Sequence, residues 1–264
     1  MLIVSGKKFK EEGKMKRSTG NKLLYLCCMA AFAFSLSVLS ASALEIEKLP
    51  GKTLSELVWG GILYDNWPNE LGVKIGKTHP SYPPAGKKKG ETTWRCKECH
   101  GWDYKGRAGI YSKGDNYTGI KGIRDNANQN PEEIIKILKS DTHAFGDMLP
   151  ERALKSLALF VSLGQIDMDP YIDRATKKPV GDPMSGGRIY LTTCLKCHGE
   201  DGKKINFKDE KTPEYIGTVA KKNPWEALHK VRFGHPEAQM PAMVFLGLRE
   251  QLDLLSFCQT LPEK

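Results

Sequence analysis

Cysteine is scarce in this sequence, seven in 264 residues, and histidine is scarcer, with six. Cys27 and Cys28 fall in one long apolar run, four more fall in two copies of a single short pattern, and Cys258 stands alone. Cys258 is therefore expected as a buried thiol of the last helix, with a metal-bound thiolate or an intermolecular disulfide as the alternatives. No segment resembles a nucleic-acid-binding module, which argues against nucleic-acid recognition, and no catalytic acid and base constellation stands out. Beyond residue 43 no membrane span is expected.

The apolar run, Leu23 to Ser40, follows Lys14, Lys16, Arg17 and Lys22 and ends in Ala41-Ser42-Ala43. A basic stretch, an apolar stretch and an A-x-A site make residues 1–43 a secretory signal, cut after Ala43, with Met15 an alternative start. An uncleaved anchor is the competing reading. Export places the mature chain in the periplasm or an equivalent extracytoplasmic compartment. It also changes the charge: the leader carries seven Lys/Arg and two Asp/Glu, a net +5, so the formal +9 falls to +4.

The four remaining cysteines lie in Cys96-Lys97-Glu98-Cys99-His100 and Cys194-Leu195-Lys196-Cys197-His198. In C-x-x-C-H two thiols add across the vinyl groups of a haem and the adjacent histidine reaches the iron. A redox dithiol or half a zinc site would not need the histidine, twice, at that place. Two haem c groups are expected, held by Cys96 and Cys99 and by Cys194 and Cys197, with His100 and His198 on the irons. Their four propionates would roughly cancel the mature chain's remaining positive charge.

Other landmarks recur with the motif. Gly60-Gly61-Ile62-Leu63-Tyr64 matches Gly186-Gly187-Arg188-Ile189-Tyr190, and Tyr117-Thr118-Gly119 is echoed by Tyr215-Ile216-Gly217. Asn130-Pro131-Glu132-Glu133 and Asn223-Pro224-Trp225-Glu226 both read as helix starts, with Asn as N-cap, Pro at the first helical position and Glu closing a capping box. His143 precedes Met148, and His235 precedes Met240, by the same interval, and each half ends in an apolar-periodic helix, Glu151 to Leu163 and Leu248 to Leu261. The chain reads as a tandem repeat.

This succession resembles class I cytochrome c over nearly all of residues 53–264. The resemblance implies an all-α fold: an N-terminal cytochrome c domain over residues 44–172 and a C-terminal one over 173–264, each a small helical bundle around its haem. It implies that the helix of Gly187 and Tyr190 crosses the helix of Leu254 and Phe257. The first half departs from the pattern by a long irregular insertion at 66–93, rich in Pro, Gly and Lys, expected to pack over the haem edge, to form a docking surface or to be mere decoration. The stretch from Glu91 to Gly106 is similar to a group of bacterial dihaem cytochromes c, most of them electron carriers and some thiosulfate dehydrogenases. Trp94, Trp102 and Tyr104 are expected to wall the first haem.

The resemblance further implies Met148 and Met240 as the second axial ligands of the first and second irons. A bis-histidine first haem, using His143 or His79, is the alternative. Met184, Met243 and Met168 are other thioethers, and His229 is expected as a surface or propionate-side residue. The segment 165–185 is expected to lie against both halves. Function follows from the irons' sixth positions: two closed His/Met sites make an electron carrier, not an enzyme, that docks with redox partners. The alternatives are a haem subunit of a larger nitrogen- or sulfur-compound oxidoreductase, or a thiosulfate dehydrogenase-like enzyme with one open haem.

Overall fold

Helix α1, Gly51–Glu70, buries Leu57, Gly60, Gly61, Tyr64 and Pro68, a stripe at the three- and four-residue spacing of one helix face. Pro68 has no N–H to continue the ladder, and the helix is kinked at Asn66 (φ −157°) before running on to Glu70. The expected insertion at 66–93 therefore begins as helix. It leaves that helix where Gly72 takes a positive φ of 65° and the Val73 N–H bonds back to the Pro68 carbonyl (2.8 Å). The computed structural model describes residues 49–264; the expected leader, residues 1–43, and its cleavage site lie outside them.

The other regular elements of the described chain are also helical. The C-x-x-C-H segment α2 is Cys96–His100; α3 is Pro131–Lys139; α4 is Glu151–Leu159, widening into a π-turn at Phe160–Gly164. Then come α5, Pro183–Ile189, with its own π-turn Tyr190–Cys194; α6, Leu195–His198; α7, Ile216–Lys222; α8, Pro224–Phe233; and α9, Leu248–Cys258. Among the described residues there is no strand, only two isolated bridges, Gly106 with Lys121 and Ile172 with Pro179. The Asn caps form: Asn130 accepts from the Glu132 N–H (3.0 Å), and Asn223 accepts from the Glu226 N–H and donates to its carboxylate (2.8 Å). Glu133, expected to close the box at Asn130, pairs with Lys136 instead (2.7 Å).

Two helix crossings organise the core. At Gly60 a side chain would run into the Ser156 carbonyl and Phe160, so α1 and α4 touch backbone to backbone; at Gly186 it would run into the Asp253 carbonyl and Leu254, so α5 and α9 do the same. Tyr64 packs on Phe160 and Tyr190 on Phe257, each pair with ring centres 5.0 Å apart. The segment after α4 touches both halves: Asp169 and Asp167 take Lys105 (2.5 and 2.7 Å), Lys177 donates to the Lys222 carbonyl (2.7 Å), and the Asp182 N–H donates to Asp253 (2.6 Å).

His229 corrects its expectation. It is fully buried, among Tyr64, Trp102, Tyr104, Phe160 and Phe233, because α8 packs onto α1 where Gly61 leaves room for Phe233. Its Nε2 lies 2.9 Å from the Gly61 carbonyl, which can only accept, so Nε2 carries the proton and Nδ1 accepts from the Tyr104 hydroxyl (2.8 Å). Burial pushes its pKa down to about 4, against about 6.5 in an unfolded chain. The unfolded chain thus binds the extra proton first as pH falls. Stability present above pH 6.5 is expected to be lost between about pH 6.5 and 4, by on the order of 3 kcal/mol. Denaturant melts across that range check it: His229→Gln, which keeps a donor and an acceptor but does not titrate, should flatten the slope.

Candidate functional site

The first site is built around α2. Arg95 turns the chain into it, and Gly101 ends it at φ 79°, its N–H closing on the Lys97 carbonyl (2.9 Å). The Tyr64 hydroxyl donates to the Gly101 carbonyl (2.6 Å). The second site repeats this: Gly199 ends α6 at φ 80°, its N–H closes on the Leu195 carbonyl (2.8 Å), and the Tyr190 hydroxyl donates to the Gly199 carbonyl (2.7 Å). A positive φ directly after each histidine is what lets the chain leave the C-x-x-C-H turn at once, and glycine reaches it without strain.

Cys96, Cys99 and His100 open into one cavity of ≈ 430 Å³. That is within the range of about 300–1,000 Å³ typical of cofactor sites. Its walls are mostly apolar, Trp94, Ile134, Leu138, Phe145, Leu157 and Val161 among them, with Arg95, Lys121 and Asn126 among the polar members. Burial pushes both thiols up to about 12, so they are neutral at physiological pH, and desolvation lowers His100 to about 4. The His100 Nδ1 lies 2.8 Å from the Lys121 carbonyl, which assigns the proton to Nδ1 and leaves the Nε2 lone pair for a metal. Two thiols, an oriented imidazole and an apolar chamber of this size fit a covalently held haem.

The insertion forms one rim of the cavity. Trp94 donates to the Lys77 carbonyl (2.8 Å), the His79 N–H donates to Thr93 Oγ1 (2.9 Å), and His79 and Ser81 line the chamber. Trp102 and Tyr104, expected as haem walls beside Trp94, are not among the lining residues; they pack on His229. Met148, expected as the second ligand of the first iron, does not line the cavity either. It is half-buried against the core, its N–H donating to the Phe145 carbonyl (3.1 Å), while His143 does line the chamber.

At the second site Cys194 is half-buried and pushed up to about 11 by burial, and Cys197 is exposed. The His198 Nδ1 is buried without a hydrogen-bond partner, and its ring stands 6.2 Å from Phe207. Leu191, Ile205 and Phe207 hold exposed apolar surface in the flanking chain. The donor set again fits haem c. Met240 is half-buried with its carbonyl against Gly234, whereas Met243 is in the core, its N–H bonded to the Val231 carbonyl (2.9 Å). Cys258 is a buried thiol, pushed up by desolvation.

Arg95 is a site residue that motif reading passes over. It lines the cavity and pairs with Asp65 (2.5 Å), which also takes Lys230 (2.7 Å), tying α1, the first site and α8 together. Its position just before Cys96 was the available signal.

Comparison of the chain with curated proteins and with solved structures gives no match. Residues 181–251 match the family model described as cytochrome C oxidase, cbb3-type, subunit III. The match spans the second C-x-x-C-H and Met240, and supports a c-type cytochrome domain in this chain, with haem c as the cofactor it implies and electron transfer as the activity it suggests.

Proposed function

We propose that this chain is an exported dihaem cytochrome c that carries electrons between redox partners outside the cytoplasm. The observation that carries the reading is the doubled turn: each C-x-x-C-H ends in a positive-φ glycine whose carbonyl takes a tyrosine hydroxyl from the helix of a Gly-Gly pair. The same crossing-glycine geometry supports both halves. Bound haem supplies reversible one-electron cycling of its iron.

The chain's residues attach it, orient it and set its surroundings. Cys96 and Cys99, and Cys194 and Cys197, would provide the thioethers that hold it, and the imidazoles of His100 and His198 would provide nitrogen ligands to its iron. Trp94, Phe145 and the aliphatic wall give the first site an apolar lining, and that lining and a fixed imidazole tautomer are the protein's means of tuning potential. Met240 is the proposed thioether ligand at the second site, a soft donor that favours ferrous iron and raises the potential. No helix among the described residues is long and apolar enough to cross a membrane.

Intact mass and a pyridine haemochrome assay of the exported protein test this. The expected result is two haems per chain and a mature N-terminus at Leu44, falling to one haem in Cys96→Ala/Cys99→Ala. One haem in the wild type, or visible spectra that shift with cyanide, thiosulfate or nitrite, would sink the closed-site carrier.

A further inference from the structure

We propose that the second axial ligand at the first site is His143 and not Met148, so that the chain pairs a bis-histidine site with a histidine–methionine one. The proposal rests on the dihaem reading above and gives its first site a ligand set.

The His100 and His143 rings face the same cavity with centres 6.1 Å apart and planes 25° from parallel. That separation is too long for stacked contact between rings. It is within about 0.3 Å of what one metal between them requires: a metal–nitrogen distance of about 2.0–2.1 Å, plus about 1.1 Å from nitrogen to ring centre, doubled, gives about 6.2–6.4 Å.

Protonation agrees with the geometry. The His143 Nδ1 lies 3.1 Å from the Ile137 carbonyl as the His100 Nδ1 lies 2.8 Å from that of Lys121. Carbonyls only accept, so both rings carry their proton on Nδ1 and both present the Nε2 lone pair. Neither Nε2 has a hydrogen-bond partner among the described residues. A ligating imidazole characteristically donates its other N–H in this way.

His79, the other histidine of the cavity, has no nitrogen to spare. Its Nε2 donates to the His143 carbonyl (2.8 Å), its Nδ1 accepts from the Ser81 N–H (3.1 Å), and its ring lies 4.4 Å from that of Trp94. The insertion thus braces the backbone that presents His143. Ala144, next in the chain, sits in the left-handed region at φ 55°, which turns the chain sharply after the ligand.

A thioether favours ferrous iron more than an imidazole does, so the first site should sit at the lower potential and electrons should rest on the second. The test uses the oxidised holoprotein, by near-infrared magnetic circular dichroism and EPR, with peptide mass confirming haem on Cys96 and Cys99. The expected spectrum has two low-spin haems but a methionine-to-ferric charge-transfer band for only one. Met240→Leu should abolish that band and Met148→Leu should leave it unchanged. His143→Ala should turn one haem high-spin, and added imidazole should restore it. A band worth two methionines, or one halved by Met148→Leu, overturns the ligand assignment while the dihaem reading stands. Unmodified Cys96 and Cys99 would overturn both.

Discussion

Gly60→Val is expected to destabilise the protein by about 3 kcal/mol or more, at the upper end of the cost of overpacking a core. The new side chain would meet the Ser156 carbonyl and the Phe160 Cβ, and the first of these is backbone that cannot rotate away. Relief would require α1 to lift from α4, which would pull Tyr64 off Phe160 and loosen its hydrogen bond to Gly101, directly behind His100. At about 2–4 °C per kcal/mol for a chain of this size, the midpoint should fall by roughly 6–12 °C in a circular dichroism melt. Gly186→Val, against the Asp253 carbonyl, should behave alike. Gly51→Ala, which meets nothing within 4 Å, is the control and should be neutral or slightly stabilising. A Gly60→Val melt within a degree or two of wild type would mean that the helices do not cross at Gly60.

Asp65→Ala should cost about 3 kcal/mol, near the low end for breaking a buried pair because both partners reach some water. Asp65 is 1% exposed and holds two cations at once, Arg95 at 2.5 Å and Lys230 at 2.7 Å. Removing it leaves Arg95 without its carboxylate and Lys230 with only the longer contact to Glu226 (3.8 Å). Burial by itself would raise the Asp65 carboxyl, but Lys230 and then Arg95 outweigh it and hold the group well below the ordinary carboxylate range. The sign of the pH effect follows: the stability it contributes is present above about pH 4 and is lost as pH falls further toward the folded value. Acid melts should therefore separate it from His229, whose loss comes at higher pH. Asp65→Ala should lack the low-pH limb, and a variant that retains the wild-type acid profile would contradict the triad.

The tight turns that close each C-x-x-C-H and the helix crossings were legible because both are written locally. C-x-x-C-H fixes ligand chemistry within five residues, and Gly-Gly-x-x-Tyr marks both a close crossing and the hydroxyl that reaches back to Gly101 or Gly199. What was not legible depended on contacts distant in sequence. Nothing around His229 announces that it will be enclosed by α1, 168 residues earlier, and Trp102 and Tyr104, near in sequence to the first site, follow His229 rather than the cavity. The interval between histidine and methionine is the same in both halves, so spacing alone could not separate His143 from Met148. The insertion contacts only the first of them, through the bond from His79 to the His143 carbonyl.

The seam between α1 and α8 also bears on how the polypeptide comes to be folded. The Gly61 carbonyl finds its donor, and the slot beside it finds Phe233, only after more than 160 further residues have been joined. Such a long-range closure raises contact order and slows folding. A growing chain therefore carries the apolar back of α1 uncovered through most of its synthesis, and a product truncated before residue 229 would keep that face bare and prone to self-association.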